Sequence, residues 1–362
     1  MAGNSTASLS NSFSMNGGNG TYSYSKNSIV QRAASLTAEA MIEEVIAESL
    51  DFEKLSMPPN TFRIADLGCS VGPNTYIAMQ HIIVSIVRKY KSKGLGPQLP
   101  DFQVFFNDQT TNDFNTLFTS LPPERQYFVA GVPGSFHGQL FPKSSIYMVY
   151  SSFAFHWLSE VPKDVLIKHS PAWNRGRIFY TSASDVVAEA YAAQFAKDID
   201  SILNARAKEI VRGGMMISLL TAVPDEYHYS KSGLGLFYDA LGSSLLDMAH
   251  EGIINEDLVD SFNVPMYVTS PKEMSRLIEN NGCFSIERLK LLEYGSDLDV
   301  PLDTGKHVTH IRAALEGIIT AHFGNEIIDE LFDRFDQKAT VYRHLDASYR
   351  KGFLLFLALK RQ

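Results

Sequence analysis

Short apolar runs bounded by turn residues recur along the chain, and between several of them apolar residues return at helical spacing. Strand-length runs lie at 62–67, Phe102–Asp108, Tyr127–Ala130, Ile146–Tyr150, Met215–Leu220, Ser285–Leu291 and Phe353–Leu359. After the first, Pro73 suits an opening helical position. Ile77, Ile83, Ile86, Val87 and Tyr90 then form one broad apolar face. Arg88, Lys89, Lys91 and Lys93 gather at its far end, where a helix favours cations, and Gly94-Leu95-Gly96-Pro97 closes it. A second long helical pattern runs from about Asp185 to Arg212, with Val187, Tyr191, Phe195, Ile199 and Ile202 on one side. Gly213-Gly214 is expected to stop it. From 225 to 280 helical segments and polar breaks replace the strands. Strands alternating with helices predict an α/β chain: a parallel-type sheet with a helical cap inserted late.

Composition narrows the class. The chain has 362 residues, 45% hydrophobic and 20% charged, as an ordinary globular protein has. Its net charge of −8 argues against nucleic acid as a partner, which would need clustered Lys and Arg. Two cysteines, Cys69 and Cys283, are too few for a disulfide framework or a cysteine zinc site. No run approaches the roughly 18 apolar residues of a membrane span. Residues 1–25, rich in Ser, Asn and Gly, lack the basic start and apolar stretch of a secretory signal and the arginines of a transit peptide. The expectation is a cytoplasmic protein with a loose tail.

The densest chemistry lies in Ile64-Ala65-Asp66-Leu67-Gly68-Cys69-Ser70-Val71-Gly72-Pro73-Asn74. A strand ends in an acid, two glycines let the backbone turn and approach a ligand, and a helix begins at once. A second strand also ends in an acid, Asp108. Acids at two strand ends suit a ligand with an ammonium group at one end and a ribose diol at the other, as in S-adenosylmethionine. A dinucleotide would want Gly-x-Gly-x-x-Gly and an acid about 20 residues further on. Here Ser70 replaces the middle glycine and the next strand-end acid comes about 40 residues on, so a nicotinamide oxidoreductase is disfavoured. Two polar-aromatic clusters stand out besides: Met15 to Gln31, of loop composition before a helix that Asn27 or Ser28 caps, and Ser151 to Ser159, directly after a strand. The second position is the ligand edge of an α/β sheet, although a Trp or His there also serves as plain packing.

Together these stretches resemble the plant SABATH methyltransferases, which methylate salicylate, benzoate, theobromine and related molecules. The match is carried by Met15-Asn16-Gly17-Gly18 with Tyr24 to Gln31, Ala65 to Asn74, Phe106-Asn107-Asp108 with Asn112-Asp113-Phe114-Asn115, and Gly131-Val132-Pro133-Gly134-Ser135-Phe136. Ser151 to Ser159, Asp260-Ser261-Phe262-Asn263 and His322-Phe323-Gly324 continue it in the family's order.

The resemblance implies a Rossmann-like class I methyltransferase core, with a mostly parallel seven-stranded sheet and an inserted α-helical cap. The tail would be 1–14, the core 15–224 and 283–362, and the cap 225–282 with helices from about 305 to 345. S-adenosylmethionine would meet Tyr24, Ser28, Cys69, Asn74, Gln109 and Ser135, with Asp66 at its methionine end, Asp108 at the ribose hydroxyls and Phe136 at the adenine. Gln31 and Trp157 would offer N–H groups to the substrate, and Phe153 and His156 would shape the wall. Some relatives are assigned magnesium; its matching positions are Asn174, Asp260, the carbonyl of Phe262 and Asn263. The family also implies a small-molecule substrate and a homodimer.

Carboxyl methylation needs no catalytic base, because an acid with a pKa of about 4 is already ionised at neutral pH. The enzyme's task is alignment in a dry pocket. Salicylate-type members carry Met just before the tryptophan and several relatives carry Tyr where Phe153 stands; here the residues are His156 and Phe153. With Phe155, these bulky side chains argue for a pocket unlike the salicylate one, and a larger carboxylic acid of terpenoid, indolic or iridoid type fits at least as well. N-methylation of a xanthine-type base, or a binding protein without turnover, are the alternatives.

Overall fold

The computed structural model describes residues 14–53, 55, 60–228, 233–294, 304–342 and 352–362. The expected tail lies outside them up to residue 13; Ser14 is described, its hydroxyl donating to the Thr111 carbonyl at 3.1 Å. The strands are β1 (Thr61–Leu67), β2 (Asp101–Asp108), β3 (Phe128–Pro133), β4 (Ile146–Ser152), β5 (Ile210–Thr221), β6 (Phe284–Tyr294) and β7 (Gly352–Arg361). They form one seven-stranded sheet in the order β3-β2-β1-β4-β5-β7-β6. The pairs from β3 through β5 are parallel, whereas β7 runs antiparallel to both its neighbours. All seven apolar runs of the sequence are strands.

The order reverses direction at β1, whose neighbours are β2 on one side and β4 on the other. A parallel α/β sheet leaves a crevice there, at the carboxyl ends of its strands. Both faces are covered, which explains why β4 and β5 are buried almost throughout. On one face lie α2 (Ile29–Ser49) and α3 (Pro73–Ser92), burying Ala34, Ala38, Ile42, Ile82 and Ile86. On the other, α5 (Asp185–Glu209) buries Tyr191, Phe195, Ile199 and Ile202. Pro73 is indeed the first residue of α3, with Gly72 as its N-cap.

The second long helix departs from its expected end. It stops at Glu209, and β5 begins at Ile210 and runs on through both glycines. Ile210 and Val211 are β-branched and buried, and Ile210 already pairs with Ile146 of β4. The next pair is Met148 with Met215, so β5 bulges over Gly213 and Gly214. A Cβ on Gly214 would meet the Tyr147 carbonyl at 2.7 Å. The glycines permit a bulge rather than end a helix.

Between β5 and β6 come α6 (Gly233–His250), α7 (Glu256–Ser261) and α8 (Pro271–Asn281). After β6 come α9 (Thr304–Phe323) and α10 (Ile328–Tyr342). Helix α10 packs on α6 and α9, and α7 on α6, whereas α8 packs on α5 and β6. The short α1 (Tyr24–Asn27) rests on α9, and α4 (Phe114–Thr119) follows β2. Among the described residues no helix is long and apolar enough to cross a membrane.

Candidate active site

The turn from β1 into α3 is built from backbone that few side chains tolerate. Gly68 has φ +76°, Ser70 +51° and Gly72 +111°. The Gly68 and Cys69 amides both donate to the Asn107 carbonyl, at 2.9 and 3.0 Å, which ties the turn to the end of β2. At that end the Asp108 carboxylate accepts from the Ser70 amide through Oδ2 and from the Gln109 amide through Oδ1, both at 2.7 Å. Each carboxylate oxygen has a second lone pair, so Asp108 can still accept two further hydrogen bonds from a ligand. Asn107 in turn donates to the Val132 and Gly134 carbonyls, fixing the end of β3.

Both strand-end acids are held above the usual carboxylate range. Burial pushes Asp66 up to about 7, opposed by the Thr75 hydroxyl bonded to it and reinforced by the charge of Asp108. Burial pushes Asp108 up to about 6, opposed by the Ser70 and Gln109 amides. The same burial, followed by the two acids, raises the Cys69 thiol. A cationic ligand would relieve this crowding of negative charge.

A cleft with about 760 Å³ of empty space, open solvent at its mouth included, lies over the turn. Tyr24, Asp108, Gln109, Phe136, Phe153 and Trp157 all line it. These six sequence-predicted residues are thus brought to one site. Ser28, Asp66, Cys69, Asn74, Ser135, Gln31 and His156 stand behind or beside that lining. Gly68 makes the cradle: a Cβ there would strike the Ala154 Cβ at 2.3 Å, with the Phe136 ring at 3.8 Å.

Several supporting contacts explain the placements. The Asn74 side chain donates to the Ser28 carbonyl and hydroxyl at 3.0 Å each, so Ser28 anchors the start of α2 to α3. Its carbonyl also accepts from the Arg32 amide of its own helix at 3.1 Å, while its hydroxyl makes no bond to the helix amides. The Ser135 hydroxyl and His137 Nδ1 are 3.2 Å apart, and the Phe136 ring packs against Phe155 and His137. The loop carrying Phe136 is held from beneath by a fully buried ion pair, Arg206 with Glu209. Arg206 donates to the Phe136 and Gly138 carbonyls at 3.0 and 2.8 Å, and Glu209 accepts from the Phe141 amide at 3.0 Å.

Phe153 follows β4 with φ +55°, an uncommon conformation for an aromatic residue, and so turns the chain over the cleft. Its amide is held by the Leu219 carbonyl at 2.8 Å. Trp157 bridges to Met266, while the Tyr267 amide donates to the His156 carbonyl at 2.9 Å. The 264–268 segment therefore backs the aromatic wall. His156 is buried between Phe153 and Trp157, its Nδ1 without a partner, and burial lowers its pKa to about 3. It is a neutral imidazole at any physiological pH. Gln31 donates to His310 of α9.

Sequence reasoning passed over Met15, Ser70, His137, Pro265, Ala314 and Ile318, which also line the cleft. Met15, Ser70 and His137 belong to or abut stretches already singled out. Ala314 and Ile318 stand four apart on α9, a spacing that every amphipathic helix shows.

None of the four metal positions lines this cleft. Asn174 donates to Asn263 Oδ1 at 2.7 Å and to the Phe179 carbonyl at 3.2 Å, and Asp260 accepts from the Gly176 amide at 2.8 Å. Among the described residues no group of three or more His, Cys, Asp or Glu could hold a metal ion.

A glycine turn under two strand-end acids, facing an aromatic cleft, matches one family over nearly the whole chain. The family model for SAM-dependent carboxyl methyltransferases matches residues 10–362. The chain belongs to that family. Among curated relatives, a loganic acid O-methyltransferase of Catharanthus roseus is 45% identical over 352 residues, covering 96% of this chain and 94% of the relative. A farnesoic acid carboxyl-O-methyltransferase of Arabidopsis thaliana is 35% identical over 353 residues, covering 98% and 100%. A solved loganic acid methyltransferase with SAH superposes with a TM-score of 0.91 at 44% identity, covering 96% of this chain and 98% of that one. This carboxyl methyltransferase thus has the class I α/β fold and uses S-adenosylmethionine to convert a carboxylic acid to its methyl ester.

Proposed function

We propose that the acid has a bulky, largely apolar body, of terpenoid, indolic or iridoid type, and that neutral donors hold its carboxylate. The observation that carries this is the cleft wall. Phe153, Trp157, Leu158, Pro265, Ala314 and Ile318 line it, and among the described lining residues no Lys or Arg occurs. Burying such apolar surface is worth about 25 cal/mol per Å², so a large body contributes most of the binding. An acid of the loganic or farnesoic kind is the first choice.

When bound, S-adenosylmethionine supplies a methyl group on a cationic sulfur; the carboxylate oxygen forms the new bond to carbon as the carbon–sulfur electron pair leaves with sulfur. No proton moves. Asp108, with its spare lone pairs, takes the ribose hydroxyls, Phe136 packs on the adenine, and Asp66 lends negative charge to the methionine end. Tyr24 and Gln109 flank the cofactor, while Ser28, Cys69, Asn74 and Ser135 keep the surrounding backbone in place. Trp157 and Gln31 orient the carboxylate without the deep trap of an Arg. Phe153 and His156 set the width of the wall. Excluding water serves this reaction directly, because a cation and an anion combine into two neutral products and a low dielectric favours their approach.

Residues 225–282, with α9 and α10, are read as the cap over this cleft, supported by the packing of α10 on α6 and α9, by that of α7 on α6, and by Ala314 and Ile318 in the lining. Helix α8 is the exception within that range and packs on α5 and β6 of the core. Asn174, Asp260, Asn263 and the Phe262 carbonyl offer only oxygen, and Asn174 Oδ1 is buried without a partner, so they fit magnesium in donor type. The ion would brace the 174–179 loop against α7 and take no part in the transfer. A homodimer is the proposed assembly, with the exposed Ile29 and Leu36 on one face of α2 as the surface to cover. A cytoplasmic setting agrees with two unbridged cysteines.

The test is a mass-spectrometric screen of the purified protein with S-adenosylmethionine against plant carboxylic acids and xanthines. A methyl ester of a bulky acid is the expected product. Preference for salicylate would overturn the size argument, and a methylated xanthine would overturn the carboxylate argument.

A further inference from the structure

Gln31 is not free to point its amide either way. His310 on α9 stands between two groups of the N-terminal segment: its Nδ1 is 3.1 Å from the Asn27 carbonyl and its Nε2 is 3.1 Å from Gln31 Nε2. A carbonyl only accepts, so Nδ1 carries the proton. Burial lowers the pKa of this imidazole to about 4, opposed by the bond to Asn27 and helped by His307, so the ring is neutral and Nε2 is a bare lone pair. A lone pair accepts only from N–H. The Gln31 nitrogen must therefore face His310, and a flipped amide would set its oxygen against that lone pair. Gln31 Oε1 is buried with no partner of its own, which shows that it is not what fixes the side chain.

We propose that His310 is a positioning residue: through its Nδ1–H tautomer, set by the Asn27 carbonyl, it locks the Gln31 amide so that one N–H remains to be offered to the substrate carboxylate. This rests on the reading of Gln31 as a carboxylate donor. His310 is not needed merely to dock the segment, because α9 holds it elsewhere. The Asn16 amide donates to the Ala313 carbonyl at 3.0 Å, and the Arg312 guanidinium lies 3.6 Å over the Tyr22 ring. Without His310 the segment stays seated but the amide can rotate by half a turn, setting an oxygen against an anion in part of the population.

A double-mutant cycle tests this in the full-length protein, with Gln31→Leu, His310→Phe and the pair, each assayed for the KM of the best acid and of S-adenosylmethionine. His310→Phe keeps the ring volume and removes both nitrogens; His310→Leu takes its place if that protein does not fold. The expected result is a rise in acid KM on the order of tenfold for each single variant, the scale of one hydrogen bond to a charged group, with the cofactor KM within about twofold. In the Gln31→Leu background, loss of His310 should add almost nothing. A large effect of Gln31→Leu with none from His310→Phe overturns this inference alone. Effects that multiply in the double variant, or a parallel rise in both KM values, also overturn it. No effect of Gln31→Leu removes the Gln31 reading and this one with it.

Discussion

Ser25 sits directly on Gly72. A Cβ on that glycine would come within 2.8 Å of the Ser25 Cα and 3.0 Å of its Cβ, and Gly72 has φ +111°. The glycine that turns the chain into α3 is thus also the seat of the N-terminal segment that carries Tyr24 and Gln31. The obstacle is backbone, which cannot swing aside as a long side chain would.

Gly72→Ala should therefore cost about 1–3 kcal/mol from backbone strain alone and lift the segment off the turn. The KM values for cofactor and acid should rise together, and the melting temperature should fall. Thermal denaturation and steady-state kinetics check this; an alanine variant with unaltered constants would show that the segment has room to shift.

Asp108→Asn keeps the shape of the strand end but replaces one accepting oxygen with a donor, facing either the Ser70 or the Gln109 amide. Cofactor affinity should fall by about 1.5–3 kcal/mol, the scale of charge-assisted hydrogen bonds. Calorimetric titration with S-adenosylmethionine reads it, and wild-type affinity in the folded variant would remove Asp108 from the site.

The raised carboxyls give two opposite pH trends. Asp66 and Asp108 bind protons near 7 and 6 in the folded, ligand-free protein, but near the ordinary Asp value of about 3.9 when unfolded. Between these values the folded state holds more protons, so their contribution to stability rises as pH falls from about 8 toward about 4. Cofactor affinity should move the other way, declining as the two acids are neutralised below about pH 7. Melting of wild type against Asp66→Asn across this window isolates the first trend. The stability lead of Asp66→Asn should be largest at the alkaline end; a lead independent of pH would contradict it.

Trp157→Phe retains the apolar wall and deletes the indole N–H. It should lower kcat/KM for the best acid by roughly ten- to hundredfold and leave cofactor affinity intact. Full activity would reduce Trp157 to packing.

His156→Met removes a buried imidazole with an unpartnered Nδ1 and substitutes a flexible thioether. Preference should shift toward smaller aromatic acids, read as ratios of kcat/KM across a panel. Because the imidazole is already neutral, the wild-type pH–rate profile should show no inflection from it between about pH 5 and 8.

Much of this was legible in the sequence for a physical reason. Strand runs such as Ile146–Tyr150 are apolar throughout because both faces of the sheet are covered, and Asp66 and Asp108 stand out as acids within such runs. Where the reading failed, one local signal had two meanings. Gly213-Gly214 ends helices and also permits bulges, and only the pairing of Ile210 with Ile146 decides between them. His310 was invisible because its partners, Asn27 and Gln31, lie at the other end of the chain. Nothing within α9 marks the face that meets them. Ala314 and Ile318 were hidden in the same way: helical periodicity reports that a face is apolar, not what it faces.

The position of β7 has a consequence for how the molecule is made. It lies between β5 and β6, yet the whole stretch from 222 to 351 is synthesised after β5 and before it. Until it arrives, β5 presents an open edge of unpaired backbone flanked by buried side chains such as Ile217 and Leu219. Such an edge invites pairing with another nascent chain. The antiparallel insertion of Leu354–Leu359 is what seals it, so the sheet is completed only when the last strand of the chain has been made.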